Sequence, residues 1–252
     1  GVSPVLFGRA VKASESLLCS EKHYEAELTL GITTDTGDTT GKILSESEKA
    51  VSEKEVKEVC TSFLGESLQT PPMYSALKVC GRKLCDLARA GMEVEREPRP
   101  IVISKLEAEK KNDRVYRLEV VCSKGTYIRV LCEDIGRKLG TGGTMSALVR
   151  LSAAGFSLTD CRTLSQWEEM SETERQAAVI PTEDLFRSWK KVVLPPFFAR
   201  LAKNGLPIYQ KKIGTRVPLG EYVTFYDGDG FFALAVSVMA EEGKALKPFR
   251  RF

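Results

Sequence analysis

Between Val115 and Leu139 the chain changes period, and that change fixes what its centre can become. Tyr116, Leu118, Val120 and Cys122 alternate as in a strand buried on one face. Ile128, Leu131, Cys132, Ile135 and Leu139 then recur at helical spacing, and Gly140 closes the run. Ser123-Lys124-Gly125-Thr126-Tyr127 is the whole connection between the two patterns. A basic, glycine-bearing turn therefore opens a helix whose free backbone N–H groups favour an anionic partner. Tyr127 and Arg129, at the start of that helix, are suited to a planar ring and a carboxylate. Glu133, Asp134, Arg137 and Lys138 fall on the opposite, solvent-facing side of the helix.

The flanking sequence supplies more strands than helices. Tyr24, Ala26, Leu28 and Leu30 alternate into a half-buried strand, and a Gly/Thr/Asp-rich loop follows from Gly31 to Gly41. Asp35 and Asp38 in that loop are placed to bond neighbouring backbone N–H groups. Ser52 and Glu55 form a capping box before Val56, Val59, Cys60, Phe63 and Leu64, a helical stripe ended by Gly65. Gly81 to Ala90 reads as a shorter helix and Ile101–Leu106 as a strand. Near the end, Tyr222–Tyr226 and Phe231–Val238 flank Asp227-Gly228-Asp229-Gly230, a hairpin signal. Strands with irregularly interspersed helices, and no regular β-α-β alternation, predict an α+β fold. We expect a catalytic domain over 1–188 and a small β-domain over 189–252.

Composition narrows the chemistry. The formal net charge is only +3, but Lys78, Arg82 and Lys83, followed by Arg89, Arg96 and Arg99, concentrate basic charge beside Tyr74, as phosphate contacts would require. The same residues also suit a solvated helix face. Seven cysteines, Cys19, Cys60, Cys80, Cys85, Cys122, Cys132 and Cys161, include no C-x-x-C pair, and His23 is the single histidine. Metal ligation requires closer pairs, so the cysteines read as small core residues of a reducing cytoplasm. No apolar run is long enough to span a bilayer as a helix.

Three segments in this order carry a resemblance. They are Lys22-His23-Tyr24-Glu25-Ala26 leading to Leu30-Gly31 and Thr34-Asp35-Thr36-Gly37-Asp38, then Pro71-Pro72-Met73-Tyr74-Ser75-Ala76-Leu77-Lys78, then Cys122 to Arg129. Together they resemble the bacterial tRNA pseudouridine synthase B family, strongly through Arg150 and more weakly to Phe252. The resemblance implies a mixed, largely antiparallel sheet with flanking helices, and a β-barrel-like C-terminal domain that binds RNA. It implies a cofactor-free and metal-free isomerase, a monomer, acting on the T-stem-loop of tRNA. By position, Tyr24 matches the family's active-site tyrosine, implied to stack on the flipped base and to shuttle a proton. Tyr127 and Leu148 match substrate contacts, and Arg129 the arginine that pairs with the catalytic aspartate. Lys78, Arg82, Lys83 and Lys124 are the expected contacts to the RNA backbone.

Two departures qualify the match. Val149 stands where the family often has a second arginine. The family's Gly-x-Leu-Asp-Pro motif, which carries the nucleophilic aspartate, is expected upstream of Gly1-Val2-Ser3-Pro4-Val5, so this sequence reads as N-terminally truncated. Arg129 is then expected to be a partly buried, unpaired cation, and residues 1–252 alone to be inactive. The alternative is a non-catalytic tRNA-binding or tRNA-folding protein that has lost its nucleophile. A sister enzyme acting on rRNA, or guided by an RNA partner, is the third reading.

Overall fold

A computed structural model describes residues 1–18 and 20–252. Cys19, assigned above to the core, lies outside the described residues. After α1 (Ser14–Leu18), the chain forms β1 (Lys22–Leu30), then the hairpin of β2 (Ile32–Thr34) and β3 (Ile43–Glu46). Next come α2 (Glu53–Thr61), β4 (Gly65–Gln69), the short hairpin β5 (Lys78–Val79) and β6 (Arg82–Lys83), and α3 (Leu84–Arg89). The long strands β7 (Arg99–Lys110) and β8 (Val115–Cys122) lead into α4 (Ile128–Leu139), β9 (Gly143–Ala153) and β10 (Phe156–Ser157). Beyond them lie α5 (Leu164–Glu169), α6 (Glu172–Ala178), β11 (Lys190–Val193), α7 (Pro196–Lys203), β12 (Ile208–Tyr209), β13 (Tyr222–Asp227), β14 (Gly230–Ala240) and β15 (Gly243–Arg251).

The backbone gathers into two compact units. The first holds Gly1–Pro4 and Leu18–Cys161, the second Val5–Leu17 and Arg162–Phe252. In the first, six strands run in the order β10-β9-β1-β8-β7-β4, each neighbouring pair antiparallel. The alternation read in β1 and β8 puts Tyr24, Ala26, Leu28, Leu30, Tyr116, Leu118, Val120 and Cys122 into one core. Val56 and Cys60 of α2, and Ile128, Leu131, Cys132, Ile135 and Leu139 of α4, cover that face. The α2 capping box forms as the sequence predicts, with the Ser52 side chain accepting from the Glu55 N–H. Helix α4 closes on β9 with no room for a side chain between them. A Cβ at Gly136 would lie 2.2 Å from the Gly143 nitrogen, so glycine there is a packing requirement. The outer face of the sheet is polar: His23 meets Glu119 at 2.8 Å, and Arg117 reaches Glu25 at 3.1 Å.

In the second unit five strands run β11-β13-β14-β15-β12, parallel only between β11 and β13. The sheet curls into a half-barrel. The hairpin at Asp227–Gly230 joins β13 and β14 as expected. Gln210, 5% exposed, ties its core by donating to the Val217 carbonyl and accepting from the Val217 N–H.

The structure corrects four local expectations. Residues 81–83 are not helical: Cys80 and Gly81, both with positive φ, make the tight turn of the β5–β6 hairpin, and the helix starts at Leu84. The loop after Gly31 contains β2, paired with β3. Gly65 opens β4 rather than ending α2, which stops at Thr61. Of the cysteines, Cys60, Cys122 and Cys132 are buried, Cys85 is half-buried, and Cys80, in the β5–β6 turn, and Cys161, after β10, are exposed.

Candidate active site

The site is built around the start of α4. Tyr127 is the N-cap residue, in an extended conformation, and its own side chain does not cap the helix. The cap is supplied from β4 instead. The Gln69 carboxamide accepts from the Tyr127 N–H at 2.7 Å and donates to the Tyr127 carbonyl at 3.1 Å. Gln69 is 5% exposed, so both bonds are sheltered from water.

Two residues on, Arg129 is committed to three acceptors. Its Nη1 donates to the Thr36 carbonyl and to Asp38 Oδ2, each at 3.1 Å, and its Nη2 donates to the Tyr74 carbonyl at 2.7 Å. The guanidinium thereby draws together the Thr/Gly loop, the Pro-Pro-Met-Tyr segment and α4. This corrects the expectation of an unpaired Arg129: Asp38 supplies its counter-charge, with the two side chains 23% and 19% exposed. A guanidinium carries five N–H donors. Nε–H and one Nη2–H of Arg129 are not taken up by the described residues.

Asp38 combines the turn role read from the sequence with this ion pair. Its Oδ1 accepts from the Thr36 hydroxyl, the Thr40 hydroxyl and the Thr40 N–H. Burial works against its ionisation. The hydrogen bonds from Thr40 and Thr36 and the Arg129 charge overcome that, so its pKa stands below the ordinary 3.8. Asp35 has only the turn role, accepting from the Lys42 N–H at 2.8 Å.

Tyr24 lies on the helix-covered face of β1, 9% exposed. Burial raises its phenol pKa, opposed by the neighbouring Arg150 guanidinium, whose Nε donates to the Val2 carbonyl. Register places Arg150 opposite Tyr24 and Leu148 opposite Ala26, so all four side chains share one face of the sheet. Leu148 is 43% exposed there, an apolar side chain left open to a ligand. Val149 opposes Glu25 on the outer face, pointing away from Tyr24.

The basic residues Lys78, Arg82 and Lys83 stand exposed around the β5–β6 turn, and Lys124 is exposed in the turn before α4. Glu133 and Asp134 are not on a solvated face as expected. Both are half-buried, and burial raises both carboxyl pKa values. Among the described residues, no group of three or more His, Cys, Asp and Glu side chains gathers where a metal ion could be held. Sequence reasoning missed Gln69 and Arg150 and gave Asp38 only half its role. Their partners lie 58 to 126 positions away, beyond the reach of any local pattern.

Comparison with known proteins gives a consistent picture. The model of the TruB family pseudouridylate synthase N-terminal domain matches residues 1–128, and that of the tRNA pseudouridylate synthase B C-terminal domain matches 129–195. A tRNA pseudouridine synthase B of Clostridium tetani is 40% identical over 93% of this chain and 80% of its own length. One from Alkaliphilus oremlandii is also 40% identical, over 90% of this chain and 76% of its own. Among solved structures, a chain of a Cbf5-Nop10-Gar1 complex superposes with TM-score 0.69 at 23% identity, covering 97% of this chain and 69% of that one. A chain of an H/ACA RNP bound to a substrate RNA containing 2'-deoxyuridine gives 0.68 at 21%, covering 98% and 70%. At such identities the likeness is one of fold.

Proposed function

The chain belongs to the TruB family of pseudouridylate synthases, and on that premise we propose that it serves to isomerise a T-loop uridine of tRNA to pseudouridine. The reaction breaks the ribose C1′–N1 bond, turns the uracil over and joins C1′ to C5, from which a proton is then lost. A base inside a folded loop must first leave its stack. On this reading Tyr24 and Leu148, sharing one sheet face, receive the extruded uracil, and Tyr127 contacts it from the α4 N-terminus. Arg129 orients a carboxylate beside the sugar and keeps it ionised. Lys78, Arg82, Lys83 and Lys124 meet the RNA backbone, and residues 189–252 form a second RNA-binding surface.

The observation that carries this reading is the state of Arg129. Its guanidinium is fixed by three acceptors from two separate loops, yet retains Nε–H and one Nη2–H uncommitted among the described residues. A fixed fork with spare donors is suited to a second carboxylate. The Gly-x-Leu-Asp-Pro motif does not occur within residues 1–252, so the proposal assigns the nucleophilic aspartate to sequence outside them. Residues 1–252 alone are then inactive.

One observation supports a second reading. Because Asp38 already neutralises Arg129, a chain without the nucleophile carries no unpaired buried cation, and a purely tRNA-binding or tRNA-folding role has no such penalty against it. The experiment is to incubate unmodified tRNA with this chain extended by a segment bearing the motif, and to map pseudouridine by carbodiimide and primer extension. A single stop at the T-loop uridine is expected. No modification while tRNA is bound and refolded decides for the other reading, and modification at another uridine refutes the T-loop assignment.

A further inference from the structure

Gly37 lies on the carboxyl group of Glu133. Its φ is +74°, and a Cβ built there would meet Glu133 Oε1 at 2.8 Å, Glu133 Cδ at 3.0 Å and Arg129 Cβ at 3.5 Å. The left-handed φ favours glycine here, and any added side chain would have to displace the Glu133 carboxyl. Glu133 follows Arg129 by four residues on α4, so the two side chains lie on the same face of the helix. The Thr36–Asp38 turn rests on that face. From it come two of the three acceptors that hold Arg129, the Thr36 carbonyl and Asp38 Oδ2. The far side of the turn is pinned to β9, where Met145 N–H donates to the Gly37 carbonyl at 3.0 Å and Thr39 N–H to the Met145 carbonyl at 3.1 Å. With β9 fixing one side, the height of the turn above α4 is set by whatever lies beneath Gly37.

Stability alone does not call for a carboxyl group at Glu133, which is half-buried. Burial dominates its environment, followed by the Arg137, Asp134 and Arg129 charges, and it makes no hydrogen bond or ion pair among the described residues. A carboxyl group held half out of water with no side-chain partner gains nothing there that an apolar side chain would not. Nor does it take the ion pair that spacing offers it with Arg129, because the guanidinium is turned to the loop.

We propose that Glu133 is a positioning residue for pseudouridine formation: its carboxyl supports the Gly37 backbone at the height at which Thr36 and Asp38 hold Arg129 with its spare donors available. The inference rests on the function proposed above for its catalytic half only. The placement is tested on residues 1–252 directly, by selective 15N-arginine labelling. Restricted rotation gives resolved Arg129 guanidinium N–H signals, assigned by their loss in Arg129→Lys. Glu133→Ala is expected to average these signals, and Glu133→Gln, of equal length, to retain them. Gly37→Ala approaches the same contact from the turn and serves should Glu133→Ala fail to fold. Its added methyl collides with Glu133 and is expected to average the signals too.

The catalytic half is read in the chain extended by the aspartate segment. Small misplacements of reacting groups cost up to roughly 100-fold, so Glu133→Ala is expected to lower kcat by about 10- to 100-fold with KM for tRNA and melting temperature held. Glu133→Gln is expected to restore kcat. Unchanged guanidinium signals in Glu133→Ala or Gly37→Ala overturn the placement. Averaged signals with unchanged kcat overturn the catalytic half. Absence of turnover in every extended chain refutes the proposed function instead, and the spectra still decide the placement.

Discussion

Gln69→Ala is the substitution whose effect the structure specifies most fully. The carboxamide makes two hydrogen bonds, at 2.7 and 3.1 Å, to the backbone of the residue that caps α4. Each is worth about 1 kcal/mol net, and a buried N–H left without an acceptor adds roughly 1–3 kcal/mol. The Tyr127 carbonyl still accepts from the Leu131 N–H at 3.1 Å, so it is not orphaned. The expected loss is about 3 kcal/mol, or roughly 6–12 °C in melting temperature for a protein of this size. Trp167 and Trp189 both belong to the second compact unit, so the assay follows amide hydrogen exchange of α4 rather than tryptophan fluorescence. Gln69→Glu sharpens the test. An ionised carboxylate still accepts from the Tyr127 N–H but repels the Tyr127 carbonyl. A protonated one accepts and donates as the amide does. This variant is therefore expected to be as damaged as Gln69→Ala at neutral pH and to recover towards the parent in acid. A loss below about 0.5 kcal/mol in Gln69→Ala, or a Gln69→Glu defect that ignores pH, would refute the capping argument.

Three further outcomes are expected. Because the folded-state pKa of Asp38 lies below its ordinary 3.8, its charge contributes stability that is complete above that value and lost as pH falls through the folded pKa. Asp38→Asn is thus destabilising in urea melts at neutral pH and ceases to be so in strong acid; a pH-independent difference contradicts the ion pair. Cys80 and Cys161 are exposed, whereas Cys60 is buried with its thiol pushed up to about 12, and Cys122 and Cys132 are buried with raised pKa values. Maleimide is therefore expected to label the exposed pair in the native protein and to reach the buried three on unfolding, as resolved by peptide mass mapping. Removing Lys78, Arg82 and Lys83 together should shallow the log–log salt dependence of tRNA binding by about 2–3, at roughly 0.7–0.9 for each phosphate no longer neutralised; an unchanged slope returns them to a solvated surface.

What the sequence revealed and what it hid divide by range. Elements with an unbroken local pattern were legible: β1 and β8 by alternation, α2 by its capping box, α4 by its stripe and the αL Gly140 that ends it. The resemblance singled out Tyr24, Tyr127, Arg129 and Leu148, and the pairing of β1 with β9 explains how Tyr24 and Leu148 share a face. Strand β9 itself was not legible, because two register shifts in its pairing with β1 break the alternation. Helical period puts Glu133 outside because it counts only the helix. The loop that covers it comes from residues 36–38, where Gly37, with its positive φ, lies against the Glu133 carboxyl. The basic residues of the β5–β6 hairpin look helical since Leu84 and Leu87 continue a helical spacing back into a turn that Cys80 and Gly81 close with positive φ. The resemblance leads one to expect Arg129 to pair with the motif aspartate, whereas in the structure Asp38, 91 positions away in sequence, holds it.

The proposal to be tested is that this scaffold makes pseudouridine through Arg129 and a carboxylate supplied by a Gly-x-Leu-Asp-Pro segment. Tritium release from tRNA labelled at uracil C5 tests it most directly, because C5 loses its hydrogen only if the new C1′–C5 bond forms. Three proteins are compared: residues 1–252, the same chain preceded by a segment carrying Gly-x-Leu-Asp-Pro, and that extended chain with the motif aspartate changed to asparagine. The account predicts release by the extended chain alone. Release by residues 1–252, or by the asparagine variant, would contradict it and move the nucleophile to a carboxylate within the chain, with Asp38 the first to be tested.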